Sequence, residues 1–89
     1  MLKPSYTTQF KRDYKLQSKR HKDQDLLDNI ITMLVKEGSL PASNRDHPLQ
    51  GDYKGYRECH VGPDWLLIYK VEHDNIFFVR TGTHSDLFK

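Results

Sequence analysis

Cysteine is nearly missing from these 89 residues, and the single thiol, Cys59, has no partner with which to close a disulfide. Small secreted domains usually carry several cysteines to offset a thin core, so a reducing compartment is indicated. Long apolar runs are missing too. The opening segment, Met1-Leu2-Lys3-Pro4-Ser5-Tyr6, has no stretch resembling a signal sequence, and no later run approaches the ~20 residues of a membrane-spanning helix. A soluble cytoplasmic protein with no membrane partner is expected. Metal-binding spacings are also absent: no two of the five histidines lie three to five residues apart, and there is no His-Glu-x-x-His pattern. No metal site and no cofactor is therefore expected. There is no internal repeat, low-complexity tract or flexible linker.

A chain of this length closes one hydrophobic core and hides only about 60% of the surface its unfolded form exposes. One domain over residues 1–89 follows, with any site on its surface in a shallow groove and no deep cofactor pocket. Net charge is +2, but Lys11, Arg12, Lys15, Lys19, Arg20 and Lys22 crowd into twelve residues. Such a block suits a phosphate-bearing partner, and equally a solvated helix face.

The order of elements is readable from periodicity. Residues Lys3 to Thr7 form a short strand leading into a helix capped by Thr7 or Thr8, with Phe10 and Tyr14 on its inner face. Asp23 is placed to cap a second helix, in which Leu26, Leu27, Ile30, Ile31, Leu34 and Val35 recur at helical spacing; Gly38 closes it and Pro41 follows. Pro41 to Gly51 is polar and turn-rich. Tyr53 to Val61, Trp65 to Val71 and Ile76 to Thr81 are β-rich, separated by Gly62-Pro63-Asp64 and Glu72-His73-Asp74-Asn75. The expectation is an α+β fold of order β-α-α-β-β-β, an antiparallel sheet packed against two N-terminal helices.

Three histidines fall at strand boundaries or in loops: His47, His60 and His84. Adjacent strands lie about 5 Å apart, so residues near one sheet edge can meet one ligand, and His60 and Asp64 flank the same turn. Imidazoles exchange protons near neutral pH. RNA supplies its own nucleophile, because a ribose 2′-hydroxyl attacks the adjacent phosphate once a base takes its proton, an acid protonates the 5′-oxygen and a cation neutralises the phosphate. Arg80 has the forked geometry for that last role. Taken singly, each histidine is better explained as a surface residue or a hydrogen-bonded strut than as a catalyst. Trp65 fits the core better than a stacking platform, Arg57 has Glu58 or a helix acid as partner, and Tyr53, Tyr56 and Tyr69 are ordinary strand residues.

Read together, three segments resemble the YafQ-type mRNA interferases of the RelE/ParE toxin superfamily: Asp46-His47-Pro48-Leu49-Gln50-Gly51, His60-Val61-Gly62-Pro63-Asp64-Trp65-Leu66-Leu67-Ile68-Tyr69, and Arg80-Thr81-Gly82-Thr83-His84-Ser85-Asp86-Leu87-Phe88. Lys19-Arg20-His21-Lys22-Asp23 is similar as well. The resemblance implies a RelE-like, microbial-RNase-like fold and ribosome-dependent, metal-independent cleavage of messenger RNA. It implies that His47, His60, Asp64 and His84 are catalytic and that Arg80, Trp65 and Phe88 bind substrate or shape its site. It also implies a type II toxin inhibiting translation in the cytoplasm, with ribosome and mRNA as partners and a cognate DinJ- or RelB-like antitoxin that joins it in a hetero-oligomer binding operator DNA. A ParE-like gyrase-inhibiting toxin shares this fold and lacks the nuclease residues, and a non-catalytic RNA-binding module is the other alternative.

Overall fold

The computed structural model describes residues 1–88. Strand β1 (Lys3–Tyr6) leads into helix α1 (Thr8–Lys19), whose N-cap is Thr7: its hydroxyl accepts from the Phe10 N–H at 3.0 Å. Asp23 caps helix α2 (Gln24–Val35) in the same way, accepting from the Asp25 N–H. Each cap satisfies a backbone donor that the first turn leaves unpaired.

Both helices end alike. His21 and Glu37 adopt left-handed φ of 59° and 60°. The following amides, Lys22 and Gly38, bond back to the Gln17 and Met33 carbonyls at 3.1 and 2.9 Å. This is the double hydrogen-bonded stop usually built on glycine. In α2 the left-handed position falls on Glu37, one residue before the glycine expected to close it. Leu27, Ile30, Ile31 and Leu34 form the buried stripe of α2. Leu26, expected inside, lies at the margin of that stripe and is 46% exposed.

The predicted meander forms from β3 (Arg57–Gly62), β4 (Trp65–Glu72) and β5 (Asn75–Gly82), all antiparallel. Two strands extend it: β2 (His47–Pro48) pairs with β3, and β1 pairs with β5 in parallel, giving the order β1-β5-β4-β3-β2. The sheet is therefore mixed where an antiparallel one was expected. A parallel neighbour needs a long crossover, and the chain from α1 to β4 provides it. Tyr53 and Tyr56 precede β3 because Gly51 and Gly55, at φ 66° and 95°, bend the chain through a short 3-10 turn (Gly51–Tyr53). Past β5 the chain adds helix α3 (His84–Leu87), too short to show a periodicity.

Strand β4 is apolar on both faces. Trp65, Leu67 and Tyr69 join Phe10, Leu27 and Phe78 in the core under α1 and α2. Leu66 and Ile68 meet Leu87 of α3 on the other face, with Tyr53, Tyr56 and Leu49 packed around them. That second face has only a thin cover, which leaves its rim open for a site.

Candidate active site

Cross-strand pairing places the polar residues. His47 lies opposite Glu58, Glu58 opposite Ile68, and Ile68 opposite Arg80. One step along, His60 lies opposite Leu66 and Leu66 opposite Gly82. Directly opposed residues share a sheet face, so two histidines, a carboxylate and an arginine flank the Leu66 and Ile68 patch.

The β3–β4 turn brings in Asp64, held at φ 49°. Its Oδ1 accepts the His84 backbone N–H at 2.9 Å and lies 2.7 Å from His84 Nδ1. These two bonds, backbone first and ring second, hold the Asp64 carboxyl below the ordinary carboxylate range. They also fix the tautomer: Nδ1–H donates to Asp64, and Nε2 is the nitrogen left for a substrate. The His84 and His60 rings are 6.1 Å apart, and Phe88, 40% exposed, stands 6.4 Å from His84.

Glu58 was not singled out from sequence, yet it is buried between two imidazoles. One oxygen, Oε1, is 3.7 Å from both His47 Nε2 and His60 Nε2. That separation is too long for a direct hydrogen bond and makes the contact electrostatic. The signal was present, since residues two apart on a strand share a face and Glu58 precedes His60 by two. His47 Nδ1 donates to the Arg45 carbonyl at 2.6 Å, and the Asn44 side chain donates to the His60 carbonyl at 2.7 Å, which ties the polar loop to β3.

Arg57 pairs with Asp46 at 3.1 Å, and not with Glu58 or a helix acid. Asp46 also accepts from the Tyr69 hydroxyl at 2.7 Å, and burial together with this bond pushes the phenol pKa up. Arg80 donates through Nε to Asp13 Oδ2 at 2.7 Å and through Nη2 to Oδ1 at 3.3 Å. Asp13, on α1, is a second residue passed over in the sequence, although it shares the inner helical stripe with Phe10, Tyr14 and Gln17. Trp65, which the resemblance implied as a substrate-binding or site-shaping residue, is 2% exposed and belongs to the core, where its Nε1 donates to the Thr81 hydroxyl at 3.0 Å.

Helix α3, which carries His84, is anchored twice. Thr83 and Asp86 form a reciprocal capping box, and Arg20 grips Asp86 through two bonds of 2.7 and 3.2 Å. The Arg20 bonds, then the Thr83 N–H, hold the Asp86 carboxyl well below its usual range. Gly82 is required here for close approach: a Cβ would come within 2.8 Å of Asp86 Oδ2. The basic block consequently divides. Lys11, Arg12, Lys15 and Lys19 remain exposed, Arg20 serves α3, and Lys22 lies 5.9 Å over the Trp65 ring.

A cleft of about 480 Å³ borders His60, lined also by Asn44, Arg45 and Pro63. A larger one of about 580 Å³ lies between α1 and α2 and contains none of the histidines. Among the described residues no group of three or more His, Cys, Asp or Glu side chains is arranged to hold a metal ion. No helix there is long and apolar enough to cross a membrane. The rim thus gathers imidazoles that can move protons, a carboxylate that orients one of them, and an arginine suited to an oxyanion.

The family model for the bacterial toxin of type II toxin-antitoxin systems, YafQ, matches residues 2–89. The mRNA interferase toxin YafQ of Escherichia coli (strain K12) is 51% identical over 84 residues, covering 93% of this chain and 91% of that protein. The crystal structure of YafQ from E. coli strain BL21(DE3) superposes with a TM-score of 0.95 at 47% identity, over 100% of both chains. YafQ in the crystal structure of the E. coli DinJ-YafQ complex superposes with a TM-score of 0.93 at 48% identity, again over 100% of both.

Proposed function

Given that the chain belongs to the YafQ toxin family of type II toxin-antitoxin systems, we propose that it is an mRNA endoribonuclease that cuts by general acid-base chemistry, without a metal, on the ribosome. The observation that carries this reading is the His84–Asp64 pair, in which one carboxylate oxygen fixes both the backbone and the ring of His84. With Nδ1–H tied to Asp64, the imidazolium form of His84 carries its second proton on Nε2, so that one defined atom is the proton donor.

In the proposed reaction His47 or His60 removes the proton of the ribose 2′-hydroxyl, and the 2′-oxygen attacks the adjacent phosphorus. The P–O5′ bond breaks as His84 Nε2 protonates the leaving oxygen, leaving a 2′,3′-cyclic phosphate and a 5′-hydroxyl. Arg80 stabilises charge on the non-bridging oxygens, where preorganised donors are worth most. Phe88 packs against the leaving side, and Trp65 acts through Thr81. The exposed lysines of α1 face ribosomal or messenger RNA. A cognate antitoxin, which the E. coli complex supports, holds the protein inactive in the cytoplasm and carries the complex to operator DNA.

The test is cleavage of a defined messenger on stalled ribosomes with EDTA present. Wild type should cut in the decoding site, and His84→Ala should be slower by at least ~100-fold with its fold intact. No cleavage by either protein, or equal cleavage by both, rejects the reading.

A further inference from the structure

We propose that Asp13 is a positioning residue for Arg80: by occupying the Nε/Nη2 edge of the guanidinium, it commits the opposite Nη1/Nη2 edge to the scissile phosphate. The inference rests on the reading of Arg80 as the phosphate clamp, and it adds which edge does the clamping and what sets it.

A guanidinium offers an oxyanion two forked edges. In this protein one fork is already filled, at 2.7 Å from Nε and 3.3 Å from Nη2. The carboxylate that fills it cannot easily leave. Asp13 is 5% exposed and receives four donors: Gln9 Nε2 at 3.0 Å and Arg80 Nη2 on Oδ1, and Arg80 Nε with the Thr81 N–H at 3.1 Å on Oδ2. Swinging away would strand buried donors and acceptors without partners, which costs more than any one bond gains. Arg80 is therefore locked in the plane of Asp13, on a residue shared between α1 and β5. The edge left for an incoming phosphate, with Tyr53 as its neighbour, then has a fixed orientation. Because the paired carboxylate offsets the guanidinium charge, the clamp acts through directed hydrogen bonds more than through net charge. A lysine at position 80 could not hold both anions bidentately, since an ammonium has three donors but no planar fork.

Asp13 could instead be a plain tie between α1 and β5. The two roles separate in a double-mutant cycle, which assigns to a pair only what each partner loses through the other. Wild type, Asp13→Asn, Arg80→Ala and the double variant are assayed for kcat and KM on programmed ribosomes, with thermal melts of each and His84→Ala as control. Arg80→Ala should lower kcat ~100-fold or more. Asp13→Asn should lower kcat ~10-fold with KM little changed, and should cost less than ~2-fold once Arg80 is gone. An equal loss in both backgrounds, or no loss in either, overturns the proposal. A wild type that does not cut, or a His84→Ala that cuts as fast, rejects the nuclease reading instead.

Should Asp13→Asn fail to fold, nitrogen-15 NMR of wild-type Arg80 decides, using RNA with a 2′-deoxyribose at the cut position. On binding, the Nε–H signal should keep its shift and slow exchange while Nη1 moves. If Nε–H moves or begins to exchange, the phosphate has displaced Asp13 and the proposal fails.

Discussion

Asp64 holds a left-handed backbone conformation that costs a residue with a side chain about 1–2 kcal/mol, and it does so at a turn whose preceding residue, Pro63, supplies a rigid corner. Aspartate and asparagine tolerate this region better than other residues, because their short polar side chains bond locally. Asp64→Asn should therefore keep its fold and melt close to wild type. It loses the charged acceptor that orients the His84 ring, and the cleavage rate should fall roughly 10- to 100-fold. Melting curves beside single-turnover cleavage measure both; an Asp64→Asn protein that cuts at the wild-type rate would show that His84 needs no carboxylate to orient it. At this scale much of the site was legible. His47, His60, Asp64, His84 and Arg80, the residues of the candidate site, were named from their segments, since residue type survives in the sequence whatever the backbone does. What could not be read was pairing: nothing in the order Arg57-Glu58 shows that Asp46 will take the arginine and that the glutamate will sit between His47 and His60.

Helix α3 has four residues and no periodic face, so its existence depends on its anchors and was not legible in advance. Asp86 supplies two of those anchors, which gives α3 a dependence on acidity. Its folded pKa is depressed, so its contribution is fully present above the ordinary aspartate value near ~4 and is lost as pH falls through the lower folded value. Asp86→Asn should melt below wild type at pH 7, by about 1–2 kcal/mol for the lost charged bonds and cap. The gap should narrow as pH falls below ~4, where the unfolded chain takes up the proton while the folded protein still holds Asp86 ionised against Arg20. Denaturation curves at pH 7 and pH 2.5 test this, and a gap that persists unchanged at the lower pH argues against the Arg20 grip. Elements with several turns or alternations were readable: Thr7, Asp23, the stripe of α2 and the three-strand meander all came from spacing. The two-residue β2, and the parallel direction of β1, leave no trace in composition because neither a two-residue nor a four-residue segment records its neighbour.

The whole molecule is a sheet with one thick side and one thin. Cys59 lies on the thick side with no exposed surface, and burial first, then the Asp46 carboxylate, pushes its thiol pKa up to about 12. Thiolate is scarce at neutral pH under those conditions. Native protein should react with an alkylating reagent at least ~100-fold more slowly than protein in denaturant; comparable rates would mean that β3 opens readily. The candidate site lies on the thin side, since a face covered only by α3 and aromatic side chains leaves its polar rim accessible.

The parallel pairing of β1 with β5 also governs when that rim comes into being. The Thr7 hydroxyl reaches the Val79 carbonyl across 72 positions, and Asp13 reaches Arg80 across 67. Contacts this distant in sequence carry a large loop-closure entropy and slow the search for the native state. The helices and the hairpins are local, whereas the Asp13–Arg80 pair forms only once the first helix and the last strand have met. During its own synthesis, then, a toxin of this topology carries Asp13 long before it has an Arg80 to hold.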